Sequence, residues 1–292
     1  MEPGFERADH SACTARPRTA APANATDSHI HIYDSRFPMA PNATLRPPDA
    51  SVEDYRALQR RLGTRRVVVV HPSTYGTDNS CTLDAVAQLG ATVARAVAVV
   101  DTRVTDGELQ RLDGLGVRAI RFNLVHGNAT SLAMVEPLSR RVNDLGWHVQ
   151  IHMLADQIAQ AADVFGRLAC PLVFDHRGRI PPESGTHHPA FAVIRRLIDG
   201  GRAWVKLSSA YQDSTAGPPG YEDVAPAARA FVEAAPERML WGTDWPHPTE
   251  KVGNKPDDAI LFDLLADWAP DEAVRHRILV DNPATLFGFS AG

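Results

Sequence analysis

Short apolar runs rich in β-branched residues recur along this chain, each bounded by turn residues and each followed by a stretch of helical periodicity. They fall at residues 25–32 (ATDSHIHI), 66–71 (RVVVVH), 93–100 (VARAVAVV) and 117–122 (VRAIRF). Four more follow at 147–152 (WHVQIH), 171–175 (PLVFD), 203–207 (AWVKL) and 238–241 (RMLW). Between them lie amphipathic segments such as SVEDYRALQRRLG, LAMVEPLSRRVNDLG and FAVIRRLIDGG. Several of these end in glycine just before the next strand, where a helix C-cap belongs. Eight strand–helix alternations predict α/β architecture with a parallel sheet closed into a (β/α)8 TIM barrel. An open doubly wound sheet is the structural rival, but no GxGxxG follows the first strand, which counts against a dinucleotide-binding version.

The chain has 292 residues, 44% hydrophobic and 22% charged. That suffices for one barrel domain, read here as residues 25–292. Residues 1–24, rich in Ala, Pro, Thr and Arg, read as a disordered N-terminal arm without the apolar core of a secretory signal. A net charge of −5 gives no positive field for nucleic acid or anionic lipid. No apolar run is long enough to cross a membrane. Cys13, Cys81 and Cys170 form neither a CxxC nor a disulfide framework, so a reduced cytoplasmic compartment is expected. The sequence leaves monomer and homo-oligomer open.

In such a barrel the chemistry sits at the C-terminal ends of the strands. Alternation puts Asp27, His29 and His31 of the first strand on one face. The second strand ends in His71, followed by Ser73 and Tyr75. Arg121 and Asn123 end the fourth strand, His152 the fifth, and His176 follows the sixth. Tyr211 follows the seventh strand, and Asp244 and His247 the eighth. A lone histidine is usually a satisfied structural residue. Four histidines and an aspartate converging on one barrel mouth are a different matter. His29, His31, His152, His176 and Asp244 suit a divalent metal such as Zn2+ with an open position for water. The same groups also suit a metal-free mechanism, with Asp244 as base and the imidazoles as donors. Asp27 is expected to support a histidine rather than to react, and His247 to orient Asp244. His71 reads either as a substrate contact or as a buried ring bonded to backbone. No GxSxG elbow is present, so a serine esterase finds no support.

With these residues in place the chain resembles the amidohydrolase superfamily, through His29-Ile30-His31, His176 and Asp244. More narrowly it resembles the group of 2-pyrone-4,6-dicarboxylate lactonases, sulfomuconolactone hydrolases and sugar-acid lactone enzymes. The shared segments are TDSHIHIYDSRFP, HPSTYGTDN, GVRAIRFN, FDHRGR and WGTDWPHP. The resemblance implies a hydrolase opening a small carboxylated lactone. Asp244 would activate water, His29, His31 and His176 would polarise the carbonyl, and Arg121 would grip a carboxylate through its planar guanidinium. Tyr211 would donate to a substrate hydroxyl or ring oxygen, with Ser73, Tyr75, Asn123 and His247 as further substrate contacts. Two departures stand out. Gly127 and Gln212 occupy positions where the pyrone enzymes are expected to carry arginines, which argues against a planar dicarboxylate. His152 is a feature expected of metal-dependent members. A metal-dependent decarboxylase and a sugar-acid lactone isomerase are therefore the alternatives.

Overall fold

A computed structural model describes residues 9–126 and 129–290. The eight expected strands all form: β1 (Thr26–Ile30), β2 (Arg66–Val70), β3 (Ala94–Ala98), β4 (Val117–Asn123), β5 (His148–His152), β6 (Leu172–Phe174), β7 (Ala203–Leu207) and β8 (Met239–Trp241). They pair in parallel in the order β1 to β8. Helices fill the crossovers, as the (β/α)8 reading expects. Those used below are α1 (Val52–Leu62), α2 (Ser80–Leu89), α3 (Asp106–Gly114) and α4 (Val135–Asn143). None of the described helices is long and apolar enough to cross a membrane.

The first of these helices shows how local sequence sets the boundaries. Ser51 caps α1, its hydroxyl accepting from the Asp54 amide while the Asp54 carboxylate accepts from the Ser51 amide. Glu53 and Asp54 face the positive end of the helix dipole, and Arg60 and Arg61 the negative end. Val52, Tyr55, Leu58 and Leu62, at helical spacing, are buried. Burying one such side chain contributes about 1.5–3 kcal/mol, so packing outweighs propensity here.

Strand alternation divides the apolar residues into two layers. Val67, Val69, Ala96 and Phe122 belong to the large cluster that includes buried helix residues such as Leu58 and Leu138. Val68, Val70, Val97, Ala119, Val173, Trp204 and Leu240 form a second cluster inside the barrel. Phe287 and Phe289, near the C-terminal end, join that inner cluster and plug the floor. The inner face of β1, β5 and β7 is different: His29, Gln150 and Lys206 are fully buried there, whereas an irregularity in β1 between Asp27 and Ile30 turns Asp27, against the expected alternation, to the outer side beside Tyr55 of α1. Polar chemistry thus runs deep into the barrel from its mouth.

The first and last strands meet through the segments that carry the chemistry. Asp244 N donates to His29 O at 2.8 Å, and His31 N donates to Trp245 O at 2.8 Å. Below them Asp27 accepts from Thr243 N at 3.0 Å and Thr243 Oγ1 at 2.8 Å. Gly242 allows the approach, for a Cβ there would lie 2.7 Å from both His29 Cβ and His29 N. Asp27 therefore staples the seam rather than supporting a histidine ring. Burial lifts its carboxyl to about 7 although the Thr243 hydrogen bonds oppose the rise.

The N-terminal segment departs from the expected disordered arm. Residues 1–8 lie outside the described residues, but 9–24 pack along the barrel. Arg61 of α1 is buried and reaches Ala15 O at 2.6 Å, Ser11 Oγ at 3.0 Å and Asp257. Trp245 Nε1 donates to Asp9 O at 3.0 Å, and Thr19 N to Asp263 Oδ1 at 2.8 Å. A polar composition hid this docking, because backbone carbonyls and buried charges hold the segment instead of an apolar stripe.

Candidate active site

Asp244 organises the mouth. It sits just past β8 in the left-handed region, at φ 65°, as do His176 at 54° and Ser209 at 56°. Such non-glycine conformations are strained and persist only where surroundings over-determine them. Here those surroundings are hydrogen bonds. Asp244 Oδ2 accepts from Ser209 Oγ at 2.7 Å, Tyr211 OH at 2.7 Å and Gln212 Nε2 at 2.9 Å. The other oxygen, Oδ1, faces His29 Nε2 and His31 Nε2 at 3.4 Å each and His176 Nε2 at 3.9 Å. Burial alone would raise this carboxyl. The His176, His31 and His29 imidazoles outweigh it and hold Asp244 well below the usual carboxylate range.

Each histidine is oriented from behind. His31 Nδ1 lies 2.7 Å from Val70 O, and His176 Nδ1 lies 2.9 Å from the hydroxyls of both Ser208 and Ser209. His29 Nδ1 faces Lys206 Nζ at 3.0 Å. Burial pulls His176 down to about 3 and His29 well below its ordinary value, the Lys206 charge adding to the second shift. His29 and His176 are thereby held neutral beside an ionised Asp244. Beneath them Asp175 pairs with Arg121 Nε at 2.8 Å through Oδ2 and with Lys206 Nζ at 3.2 Å through Oδ1. Against the pull of burial, Lys206, His29 and Arg121 keep Asp175 well below the usual range.

A narrow cleft of about 30 Å³ opens over this cluster, lined by His31, Ser73, Arg121, Asn123, His152 and Gln212 among others, space for about two water molecules. His29, His31, His176 and Asp244 come together as the sequence suggested, and Arg121, Ser73 and Asn123 border the cleft. His152 stands beside His176, ring centroids 4.9 Å apart, but its Nε2 is 3.3 Å from Arg179 Nη1. Ligand atoms of His29, His31 and Asp244 lie within 4.8 Å of one another, as do those of His29, Asp175 and His176. His152 is in neither group. For a metal the donor set fits, and His29 Nε2 is buried without a hydrogen-bond partner.

Other expected contacts are engaged elsewhere. The Tyr75 hydroxyl is taken up by Asp34, accepting from its N at 2.9 Å and donating to its O at 3.2 Å. His247 turns its Nε2 to Asp258 at 3.1 Å and stacks edge-on to Tyr211 at 5.0 Å, so it braces the tyrosine and not the Asp244 carboxylate. Tyr211 itself donates to Asp244. His71 is buried, with Nε2 3.1 Å from Gly76 O and Nδ1 3.0 Å from Thr82 Oγ1, the backbone-bonded alternative. Gly127 lies outside the described residues, whereas Gln212 is a partner of Asp244. Lys206, Asp175 and Ser209 are the residues that sequence reasoning left out of the site. A lysine at an inward position of the otherwise apolar AWVKL strand was the available signal.

The amidohydrolase family model matches residues 26–289. Among curated proteins, a 4-sulfomuconolactone hydrolase of Rhizobium radiobacter is 39% identical, with 92% of this chain and 91% of that protein covered. A 2-pyrone-4,6-dicarboxylate hydrolase of Comamonas testosteroni is 37% identical, with 96% and 95% covered. A D-galactarolactone isomerase of Agrobacterium fabrum is 34% identical, with 94% of each chain covered.

Proposed function

We propose that this chain, a hydrolase belonging to the amidohydrolase family, opens a small carboxylated lactone of the sugar-acid or muconolactone type. The observation that carries this reading is the two-sided environment of Asp244. Three donors saturate Oδ2 and fix the carboxylate, while Oδ1 stays available as a base. Water between Oδ1 and the carbonyl carbon loses its proton to Asp244 as the new C–O bond forms. The imidazoles of His29, His31 and His176 stabilise the charge that grows on the carbonyl oxygen. Collapse breaks the ring C–O bond, and the departing oxygen takes the proton back from Asp244. One water is consumed, and a carboxylic acid and a hydroxyl are formed. Arg121 would hold the substrate carboxylate, a role supported by its position on the cleft border with its Nε on Asp175.

His29, His31 and Asp244, with His176 beside them, are the residues that would hold a divalent metal, zinc by preference for imidazole and carboxylate. When bound, such an ion supplies Lewis-acid polarisation of the carbonyl and lowers the pKa of water. Three unpaired cysteines support a reducing, cytoplasmic setting.

A pH-indicator assay on a panel of sugar-acid lactones and muconolactones tests the proposal, with Asp244→Asn beside the native protein. We expect acid release that falls at least about 10³-fold in the variant. The asparagine keeps an acceptor for Ser209, Tyr211 and Gln212, so the fold persists while the base is gone. Full activity in Asp244→Asn refutes the assignment. The isomerase relative gives a second reading its footing, and it predicts conversion of a lactone without acid release.

A further inference from the structure

We infer that the tip of the loop between β1 and α1, residues 40–45, is a lid that stands shut over the site in this structure, and that Leu45 on it selects which lactones enter. The cleft above Asp244 measures about 30 Å³, whereas sites for small organic ligands begin at about 300 Å³. A carboxylated lactone enters only if part of the wall withdraws. Most of that wall is fixed, since His31, Tyr33, Arg121, His152, His176 and Asp244 are buried residues at the strand ends. Pro248 and Thr249 form another rim, but they belong to the turn that carries Asp244, where His247 N donates to Asp244 O at 2.9 Å. Lifting that rim would displace the carboxylate. Leu45 is the wall residue carried on a loop with a base of its own.

Residues 34–49 run from β1 to α1 without helix or strand. Their ends are pinned together, Tyr33 N donating to Ala50 O at 3.1 Å and Ala50 N to Tyr33 O at 2.8 Å. That is an Ω-loop, closed at its base. Its first half is anchored, for Phe37 and Met39 pack against the core and Arg36 reaches Asp84 of α2 at 2.9 Å. The tip is held differently. Ala40 N donates to Thr74 O at 2.8 Å, Thr74 Oγ1 to Leu45 O at 2.9 Å and Thr44 Oγ1 to His126 O at 3.2 Å. Among the described residues Leu45 joins neither apolar cluster. Hydrogen bonds that water can replace, without an anchor in the core, make a latch that opens at small cost. Shut again over substrate, the lid excludes water and sets Leu45 against the ring, so its bulk limits the width admitted. The selection rests on the lactone reading; the opening does not.

Amide hydrogen exchange followed by NMR tests the opening without turnover. The Ala40 amide should exchange at least about 100-fold faster than the Tyr33 and Ala50 amides at the loop's base. Thr74→Val removes the donor to Leu45 O and should speed Ala40 about fivefold further, leaving Tyr33 and Ala50 unchanged. Thr44→Val, at an exposed position, should do the same and serves if Thr74→Val does not fold. Ala40 protected as strongly as Tyr33 and Ala50 overturns the lid. Selection is read with dihydrocoumarin, a bicyclic lactone, against muconolactone. Leu45→Ala should raise kcat/KM for the bicyclic ring relative to the monocyclic one at least about tenfold. An unchanged ratio removes Leu45 as the selecting residue. If no lactone reacts, the hydrolytic proposal fails and the exchange rates still decide on the lid. The ratio of the two Kd values, read from the Ala40 amide shift, then decides on Leu45 in the same way, and binding of neither lactone also removes it.

Discussion

One methyl group at Gly242 should damage both stability and turnover, and the sizes of the two effects follow from the seam. A Cβ at this position would sit 2.7 Å from His29 Cβ and N, where ordinary contact begins at 3.4 Å. The shortfall is about 0.7 Å. Nothing nearby can yield cheaply, because one of the opposing atoms is backbone and His29 O also holds the Asp244 amide at 2.8 Å. Overpacking of this kind costs about 1–3 kcal/mol. At about 2.1 cal/mol/K of unfolding entropy per residue, a chain this long loses about 1.6 °C of Tm per kcal/mol. Gly242→Ala should therefore melt about 2–5 °C lower. A shift of nearly 1 Å between His29 and Asp244 should also lower kcat on the order of 10- to 100-fold. Differential scanning calorimetry and lactone kinetics on the same preparation measure both. Gly107→Ala in α3, where a Cβ would meet nothing within 4 Å, is the control and should not lower either. A Gly242→Ala protein with native Tm and native kcat would refute the tight closure of β1 against β8.

Three further expectations can be checked separately. Arg121→Lys should lower kcat/KM about 10- to 100-fold, chiefly through KM, because a point charge replaces a bidentate fork; steady-state kinetics showing an unchanged KM would remove Arg121 from the carboxylate subsite. His71 is buried and pulled down to about 4 from 6.5, so the unfolded chain binds its proton first. Its contribution to stability is complete above pH 6.5 and falls away as the pH drops toward 4, by about 3 kcal/mol. Urea unfolding of His71→Asn should accordingly vary less over that interval, and an identical pH profile contradicts the assignment. Dipicolinate treatment followed by dialysis should abolish turnover, and one equivalent of Zn2+ should restore it; undiminished activity at negligible metal content would leave the imidazoles as the polarising groups.

The barrel was legible because strands buried on both faces read as continuous apolar runs, and eight such runs alternate with capped helices. The heart of the site was legible for a related reason. His29 and His31 lie two residues apart on a strand, and Asp244 follows the last one. What escaped was whatever depends on pairing across the barrel. Lys206 sits mid-strand in AWVKL, and nothing local reveals that Asp175, Gln150 and His29 surround it. Strict alternation puts Asp27 on the histidines' face, but an irregularity in β1 turns it outward to Tyr55 and to Thr243, the latter more than 200 residues along the chain. Tyr75 and His247 have residue types suited to substrate, but their polar atoms are already engaged by Asp34 and Asp258. Gln212 was noticed only as a missing arginine, and its bond to Asp244 became visible in three dimensions. In the N-terminal segment, a buried Arg61 holds chain that composition alone would leave in solvent.

The seam between β1 and β8 also bears on how the enzyme comes into being. Its histidines are made early in translation, and the carboxylate they surround comes only after the last strand. A ribosome-bound chain that has not yet released Thr243 to Trp245 carries imidazoles without the carboxylate proposed as base and an Asp27 without the Thr243 donors that tie it to the last strand. On the proposed mechanism catalytic competence arises in the same event that completes the fold, and a half-synthesised chain has no turnover on its way out of the ribosome.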